Sequence, residues 1–386
     1  MIFLVISIFL LLPYLLLIIY YRQSWLEIET YNTDAKQSTG RTFISVIIPA
    51  RNEEKNIGTC IESIVKQTYP EDLFEVIIVD DYSEDDTAKV ASSYNRSNVS
   101  VINLAGFTSN NILNSYKKKA IETAITMAKG SLIVTTDADC IVRDKWLETI
   151  ASYYEKTNAV FIAAPVMFFD IKDDAPFCKR FLKIFQSLDF MTLQGITGAS
   201  VYKRIHNMCN GANLAYEKKV FYEAGGFEGI DNIASGDDMM LMHKIQKLYP
   251  DRMGYLKSRD ATVKTQAADS ARKFLNQRIR WASKADKYPD IKITAVLILV
   301  YLLNLWIIVL AIVSFFYNDI FYLLVFSFFT KTFVELYFLY PVAHFFKNKK
   351  LLWWFIPAEP FHIIYTLFAG WLGKFGSYTW KGRRVK

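Results

Sequence analysis

Ser131-Leu-Ile-Val-Thr-Thr-Asp-Ala-Asp-Cys140 decides how this chain is read. Its apolar, β-branched half, Leu132 to Thr136, has the composition of a strand buried on both faces of a parallel sheet. The run ends in two carboxylates one residue apart, Asp137 and Asp139. If extended geometry continues, alternate side chains share a face, and both acids enter one space beyond the strand's C-terminal end. Open α/β sheets bind their ligands there. Like charges brought close need a cation between them, and an all-oxygen set suits Mg2+ or Mn2+. An acidic turn after a strand has the same spelling, so the surroundings carry the decision.

Upstream, Phe43-Ile-Ser-Val-Ile-Ile48 reads as a first buried strand, stopped by Pro49. Ile57, Cys60, Ile61, Ile64 and Val65 recur at helical spacing, and Glu75-Val-Ile-Ile-Val79 is a second strand, which makes a βαβ unit. That strand runs into Asp80 and Asp81, with a helix beginning near Asp86. Val99 to Leu104 reads as a third strand, and Lys117 to Lys129 as the helix leading to the central one. The half is nucleotide-binding in outline, yet it has neither Gly-x-Gly-x-x-Gly nor a Walker A loop. With no glycine amides to cradle a phosphate, more of that task falls to a metal at Asp137 and Asp139.

Downstream come a strand over Ala159 to Val166 and a helix over Phe177 to Phe190. That helix reads equally as a membrane-surface helix or a core helix. Cys209-Asn-Gly-Ala-Asn213 is rich in turn residues and precedes Leu214-Ala-Tyr216. Ser235-Gly-Asp-Asp238 opens another helix, where acids suit the dipole whatever else they do. Gln277-Arg-Ile-Arg-Trp281 sets cations and an indole just before an apolar segment.

The chain is 52% hydrophobic and 16% aromatic, and the excess is concentrated at its two ends. Ile2 to Tyr20 is almost wholly apolar, with no basic residues before it and Arg22 after it. The pattern reads as an uncleaved anchor with its N-terminus outside. Ile293 to Tyr317 and Ile320 to His344 read as a transmembrane hairpin turned at Asn318-Asp319, with Lys331 and Glu335 one turn apart inside it. Leu351 to Leu372, interrupted by Pro357 and Pro360, reads as a re-entrant or interfacial segment. The net charge of +7 does not form a nucleic-acid tract. Arg22, Lys347-Asn-Lys-Lys350 and Lys381-Gly-Arg-Arg-Val-Lys386 flank apolar segments, a cytoplasmic juxtamembrane pattern. Four scattered cysteines read as buried reduced thiols, and four isolated histidines receive no role.

Taken together, Val46-Ile-Ile-Pro-Ala-Arg-Asn-Glu53, Val79-Asp-Asp-Tyr-Ser-Glu-Asp85, Asp137-Ala-Asp139, Gly236-Asp-Asp238 and Gln277-Arg-Ile-Arg-Trp281 stand in the order found in one family. The chain resembles the membrane-bound family 2 glycosyltransferases. That resemblance implies a GT-A fold, an α/β domain with a Rossmann-like mixed sheet, and transfer with inversion at the sugar carbon. The expected division is an anchor over 1–22, a linker over 23–40 and a cytoplasmic GT-A domain over 41–290. A transmembrane hairpin over 291–346 and a re-entrant, interfacial or third transmembrane segment with a basic tail over 347–386 complete it.

The resemblance also assigns roles. Pro49, Arg51 and Glu53 of the first loop, with Asp80 and Asp81, would line the pocket for a nucleotide-sugar, meeting uracil and ribose. Asp139 would contact a Mg2+ or Mn2+ ion, with Asp137 beside it near the donor's sugar or ribose. Asp238 matches the catalytic base, and Asp237 stands beside it where many relatives have Glu. Gln277, Arg280 and Trp281 match the motif that closes over the diphosphate and positions the acceptor. The implied reaction moves one sugar from a UDP-sugar to a lipid or lipid-linked acceptor at the cytoplasmic membrane face. A processive polysaccharide synthase is the alternative enzyme, disfavoured by too few apolar segments to line a channel. A non-catalytic membrane scaffold on the same fold is the alternative of another class, and the complete set of acids argues against it.

Overall fold

A computed structural model describes residues 1–33, 41–107, 115–171, 176–231, 233, 236–284, 290–376, 378–380 and 383–385. The apolar runs condense, in chain order, into helix α1 (Ile2–Glu27), β1 (Ile44–Ala50), α2 (Ile57–Val65), β2 (Phe74–Asp80), α3 (Thr87–Ser92), β3 (Val99–Asn103) and α4 (Tyr116–Met127). There follow β4 (Leu132–Thr135), α5 (Trp146–Lys156), β5 (Phe161–Ala163), β6 (Val166–Phe168), α6 (Phe177–Lys203), β7 (Leu214–Glu217), α7 (Lys218–Glu223) and α8 (Asp237–Leu248). The chain continues through β8 (Met253–Tyr255), β9 (Val263–Thr265), α9 (Ala271–Ala282), α10 (Ile291–Val313), α11 (Asn318–Phe345) and α12 (Phe355–Phe375) to a hairpin of β10 (Tyr378–Trp380) and β11 (Arg383–Val385). Contacts divide these elements into two compact units, one over 28–169 and 207–266, the other over 1–27, 170–206 and 267–386.

The first unit is built on a seven-stranded mixed sheet of order β3-β2-β1-β4-β7-β5-β8. The Val and Ile runs of β1, β2 and β4 are buried along almost their whole length, as central parallel strands require. β1 runs parallel to β2 with Ala50 opposite Asp80, and parallel to β4 with Ile47 opposite Thr135. Their C-terminal ends therefore emerge side by side, each followed by one of the acidic loops. β7 is antiparallel to β4 and β5, and a short parallel pair, β6 with β9, makes a second sheet.

Three expectations are corrected in this unit. Pro49 does not stop the first strand, which runs on to Ala50. The β4 ladder ends at Ile47, so Pro49 lies where β1 has an edge on that side and its missing N–H breaks no pairing there. The expected strand over Ala159 to Val166 is two strands in different sheets, β5 and β6, with Pro165 between them. Extended geometry also does not continue past β4. The Cys140 amide donates to the Asp137 carbonyl at 3.1 Å, folding 137–140 into a turn.

The second unit collects the long helices. Among the described residues, three are long and apolar enough to cross a membrane: Ile2–Glu27, Ile291–Val313 and Asn318–Phe345. α10 and α11 are neighbours in sequence and pack against each other, but the connection is Ser314–Tyr317 rather than Asn318-Asp319. Asp319 instead sits in the first turn of α11, where the helix dipole favours it. Pro357 does not interrupt α12, because it lies among the first N–H groups, which have no intrahelical partner. Lys331 and Glu335 pair at 2.8 Å, and Lys331 also meets Glu359 of α12. α6 continues well past Phe190 to Lys203, and its Gly195 allows close approach to α11. A Cβ there would lie 2.6 Å from Val342 Cγ2 and 2.8 Å from Phe338 Cζ.

Candidate active site

The loops after β1 and β2 are fastened to each other. The Asp81 amide donates to the Ala50 carbonyl at 2.8 Å, and Arg51 Nη1 donates to the carbonyls of Asp81 and Tyr82, both at 2.8 Å. Arg51, expected against the nucleotide, thus spends its guanidinium on shaping the Asp80 loop. It holds Tyr82 at φ 52°, a left-handed conformation that a tyrosine adopts only when its surroundings impose it. Asn52 is also left-handed and accepts the Glu84 amide at 2.8 Å. Glu53 accepts from Asn56 Nδ2 at 2.7 Å beside a polar depression lined by Asn52, Glu54, Lys55 and Asp85.

Asp80 and Asp81 are buried. Asp80 Oδ2 accepts only a long bond from the Ser83 amide, 3.4 Å, and Oδ1 has no partner among the described residues. Buried carboxylate oxygens normally find donors, so Oδ1 marks a place where a ligand's hydroxyl or N–H fits.

The turn after β4 keeps Asp137 and Asp139 half-exposed while Ala138 and Cys140 are buried beneath them. Asp137 Oδ1 accepts from Lys117 Nζ at 2.7 Å, and the same ammonium lies 3.7 Å from Asp237 Oδ2. Lys117 was not among the residues the sequence singled out. It is the first of three lysines at the start of α4, a pattern that reads as a solvated helix end. Burial alone would lower the Lys117 pKa, but the charges of Asp137, Asp237 and Asp238 outweigh it and hold the ammonium above its ordinary value. The lysine therefore binds the β4 loop to the start of α8.

α8 begins at Gly236, whose φ of 78° suits glycine, and Asp237 and Asp238 fill its first turn. Asp237 is buried, and Asp238 is half-exposed. Asp238 Oδ2 accepts the Gly211 amide at 2.9 Å, and Oδ1 accepts the Met239 amide at 2.8 Å. These donors fix the carboxylate's direction without burying it. Gly211 belongs to the turn-rich stretch Cys209–Asn213, anchored by Thr135 Oγ1 donating to its carbonyl and by Asn213.

Three thiols report the local potential. Burial, then the charges of Asp139 and Asp137, push Cys60 up, and the same causes push Cys140 up. Burial, then Asp238 and Asp237, push Cys209 up. Burial is expected of all four cysteines; Cys60 and Cys140 are buried, Cys209 is half-buried, and Cys178 is exposed on α6. The carboxylates add to the burial that raises the Cys60, Cys140 and Cys209 thiols, and like charges gathered in this way favour a cation. Among the described residues no three His, Cys, Asp or Glu side chains form a ready-made metal cage. Mg2+ and Mn2+ commonly take one or two carboxylates and complete their shell with substrate phosphates and water, so the Asp137–Asp139 donor set fits such an ion.

Gln277, Arg280 and Trp281 lie on α9, in the other unit. Gln277 Oε1 accepts from Arg278 Nη1 at 2.9 Å, and the Arg278 guanidinium lies 4.2 Å from the centroid of the Trp281 ring. These two residues therefore share a neighbour that the motif itself does not include.

Comparison with known proteins gives a consistent result. Residues 45–224 match the family model described as glycosyl transferase family 2. A glycosyltransferase of Haloferax volcanii, AglE, is 32% identical over 126 residues, 33% of this chain and 40% of that protein. A 4,4'-diaponeurosporenoate glycosyltransferase of Staphylococcus aureus is 35% identical over 139 residues, 36% of this chain and 33% of that protein. The chain thus spans well under two thirds of the length of these relatives. A mannosyltransferase from Pyrobaculum calidifontis, solved with GDP-Man and Mn2+, superposes with a TM-score of 0.55 at 17% identity, covering 96% of both chains. At that identity the match concerns the fold, and the seven-stranded mixed sheet is of the GT-A type. Residues 45–224 are thus similar to the family 2 glycosyltransferases, the sheet is of the GT-A type, and helices apolar enough to span a membrane lie on both sides of that stretch in the sequence.

Proposed function

We propose that this protein moves a single sugar, with inversion, from a nucleotide-sugar to a lipid or lipid-linked acceptor at the cytoplasmic membrane face. The observation that carries the reading is the Lys117 bridge between Asp137 and Asp237, which gathers acids far apart in sequence at one end of the sheet and leaves Asp238 half-exposed beside them. An alcohol is a poor nucleophile until a carboxylate within hydrogen-bond reach takes its proton. Asp238 is held for that by two backbone amides and keeps access to solvent. Attack on the sugar carbon by the acceptor oxygen breaks the bond to the diphosphate in one displacement, so one base suffices and no covalent nucleophile is required.

Asp80 and Asp81, with Glu53, bind the nucleoside, and the unpartnered Asp80 Oδ1 awaits one of its donors. Arg51 acts here by ordering the Asp80 loop. Asp139, with Asp137 beside it, would hold a divalent ion that neutralises the leaving diphosphate when bound. Lys117 keeps Asp137 in place and adds fixed positive charge on that side. Gln277, Arg280 and Trp281 take the roles the family resemblance gives them, on the diphosphate and the acceptor. The basic residues Arg22 and Lys347, Lys349 and Lys350 flank the apolar helices and support a cytoplasmic catalytic domain. The name of the Staphylococcus aureus relative gives its acceptor as 4,4'-diaponeurosporenoate, and the mannosyltransferase was solved with GDP-Man rather than a UDP-sugar. Both nucleotides therefore belong in the test.

The experiment incubates the full chain and native membranes with UDP-sugars and GDP-Man in Mn2+, and identifies the product by mass spectrometry. Addition of one sugar supports the reading, and a ladder of sugars supports the processive alternative. Asp238→Asn should lower turnover by about 10² or more, the low end of what a positioned base contributes, and leave nucleotide binding intact. Unchanged turnover in that variant would remove Asp238 from the mechanism.

A further inference from the structure

We propose that Asp189 and Arg278 are positioning residues that set the side chains of Gln277 and Trp281 for transfer. The proposal rests on the reading of α9 given above and deepens it. Asp189 lies within α6 in the run Leu188-Asp189-Phe190-Met191, where neighbouring residues are apolar and buried. A carboxylate buried there is costly unless it is fully partnered. Its partners are complete. Oδ2 accepts from Arg278 Nε at 2.9 Å and also from Arg278 Nη2, and Oδ1 accepts from the Tyr365 hydroxyl of α12. His362 Nε2 stands 3.9 Å from Oδ1. The Asp189 and Arg278 side chains are each only 5% exposed.

The guanidinium is planar and its donors point in fixed directions. With Nε and Nη2 committed to Asp189, the remaining arm, Nη1, is aimed at Gln277 Oε1, 2.9 Å away. Pinning the amide oxygen turns the donor end of Gln277 away from Arg278. The Arg278 Cζ lies over the Trp281 ring, 4.2 Å from its centroid, and the Phe190 ring centroid is 6.4 Å from that of Trp281. One buried cation thus fixes the amide of Gln277 and the ring of Trp281, and one buried carboxylate fixes the cation. The chain of contacts runs further, through His362 and Glu359 at 3.7 Å and Glu359 with Lys331, to Glu335 and Tyr14 of α1. A simple apolar contact would hold α9 against α6 equally well. It would not orient an amide.

The test uses the full chain in detergent and native membranes, with the nucleotide-sugar found to be the donor, or UDP-sugars and GDP-Man in parallel. Arg278→Lys keeps the charge beside Asp189 but loses the fork that reaches Gln277 and the guanidinium that lies over Trp281. The expected result is an unfolding temperature near wild type and a kcat lowered at least about tenfold, in keeping with the sensitivity of transfer to small misplacements. In a Gln277→Ala background the same change should lower kcat less than it does alone, because part of its target is gone. A role confined to holding helices together predicts near-normal kcat for Arg278→Lys and equal effects in both backgrounds, and that result overturns the proposal. If Arg278→Lys does not fold, Tyr365→Phe, which removes one bond to Asp189 and leaves the ion pair, replaces it. Wild-type kcat in Tyr365→Phe then overturns the proposal. Wild-type turnover in Gln277→Ala is a different outcome: it overturns the reading of α9 itself, and this proposal with it.

Discussion

Asn213 offers a test of whether the turn that presents Gly211 to Asp238 is held as described. Its side chain is fully buried. Oδ1 accepts from Trp146 Nε1 at 3.0 Å, and Nδ2 donates to the carbonyls of Pro165 and Ala261, both at 2.8 Å. Asn213→Ala removes three hydrogen bonds and leaves an indole N–H and two carbonyls buried without these partners. At about 1–3 kcal/mol for each group left unsatisfied, the loss is roughly 3–6 kcal/mol, allowing for water entering the space. For a unit of roughly 200 residues that corresponds to a fall of about 10–20 °C in the unfolding midpoint. Asn213→Asp keeps the shape and the acceptor for Trp146 but turns lone pairs toward two carbonyl oxygens. It should be at least as damaging at pH 7. The introduced carboxyl has its pKa raised in the fold, so its stability contribution is present below the unfolded value of about 4 and is lost as pH rises. Thermal unfolding in detergent from pH 4 to pH 8 should therefore show the Asp variant approaching wild type at the acid end, while the Ala variant keeps a constant gap. A Asn213→Ala variant within about 1 kcal/mol of wild type would refute the reasoning, since a lost bond to solvent alone costs that little.

Gly195→Ala forces a methyl onto Val342 and Phe338 and should destabilise the helical unit by about 1–3 kcal/mol; Val342→Ala in the same chain should restore part of the loss in detergent thermal melts. Burial lowers the Lys257 pKa to about 8, so its charged form disfavours the fold. The depressed value means that stability is gained as pH rises from about 8 toward the unfolded value of about 10.4 and is lost on the way down. Lys257→Met should consequently raise the unfolding midpoint at pH 7 and do so less at pH 10, with loss of the Lys257 bond to the Ile28 carbonyl limiting the gain. Lys117→Met removes the cation shared by Asp137 and Asp237, so turnover should fall while the thermal shift produced by Mn2+ alone grows; a smaller Mn2+ shift would contradict the charge argument.

Much of this fold is legible because its central strands are buried on both faces and so must be spelled in Val and Ile. β1, β2 and β4 announce themselves in this way, and the acids that follow them stand at the strands' C-terminal ends, where open α/β sheets bind ligands. The position of β7 is not legible. Leu214 to Glu217 is four residues long, and nothing in it states that it will lie antiparallel between β4 and β5. Nor is the full length of α6, whose second half contains Gly195 and Gly198, poor helix formers that close packing against α11 makes useful.

The site follows the same division. Acids at strand ends are visible because a local rule places them, whereas the groups that organise them are set by tertiary structure. Lys117 looks like solvent-facing charge until the chain folds and places it between Asp137 and Asp237. Asp189 looks like an interruption in an apolar helix until Arg278, 89 residues later, explains it. Charge then constrains the chemistry. Among the described residues, Lys117 is the cation paired with Asp137 and Asp237, and Asp139 and Asp238 lie near it in sequence or in the fold; the thiols of Cys60, Cys140 and Cys209 are raised by burial first and by these carboxylates second. A nucleoside diphosphate carries negative charge of its own and is repelled by carboxylates. Lys117 cannot offset both the acids and the diphosphate, because its ammonium is already committed to Asp137 at 2.7 Å. On the proposed transfer, a donor reaching this end of the sheet would have to arrive with a cation, and the proposal gives Asp139 the task of receiving it.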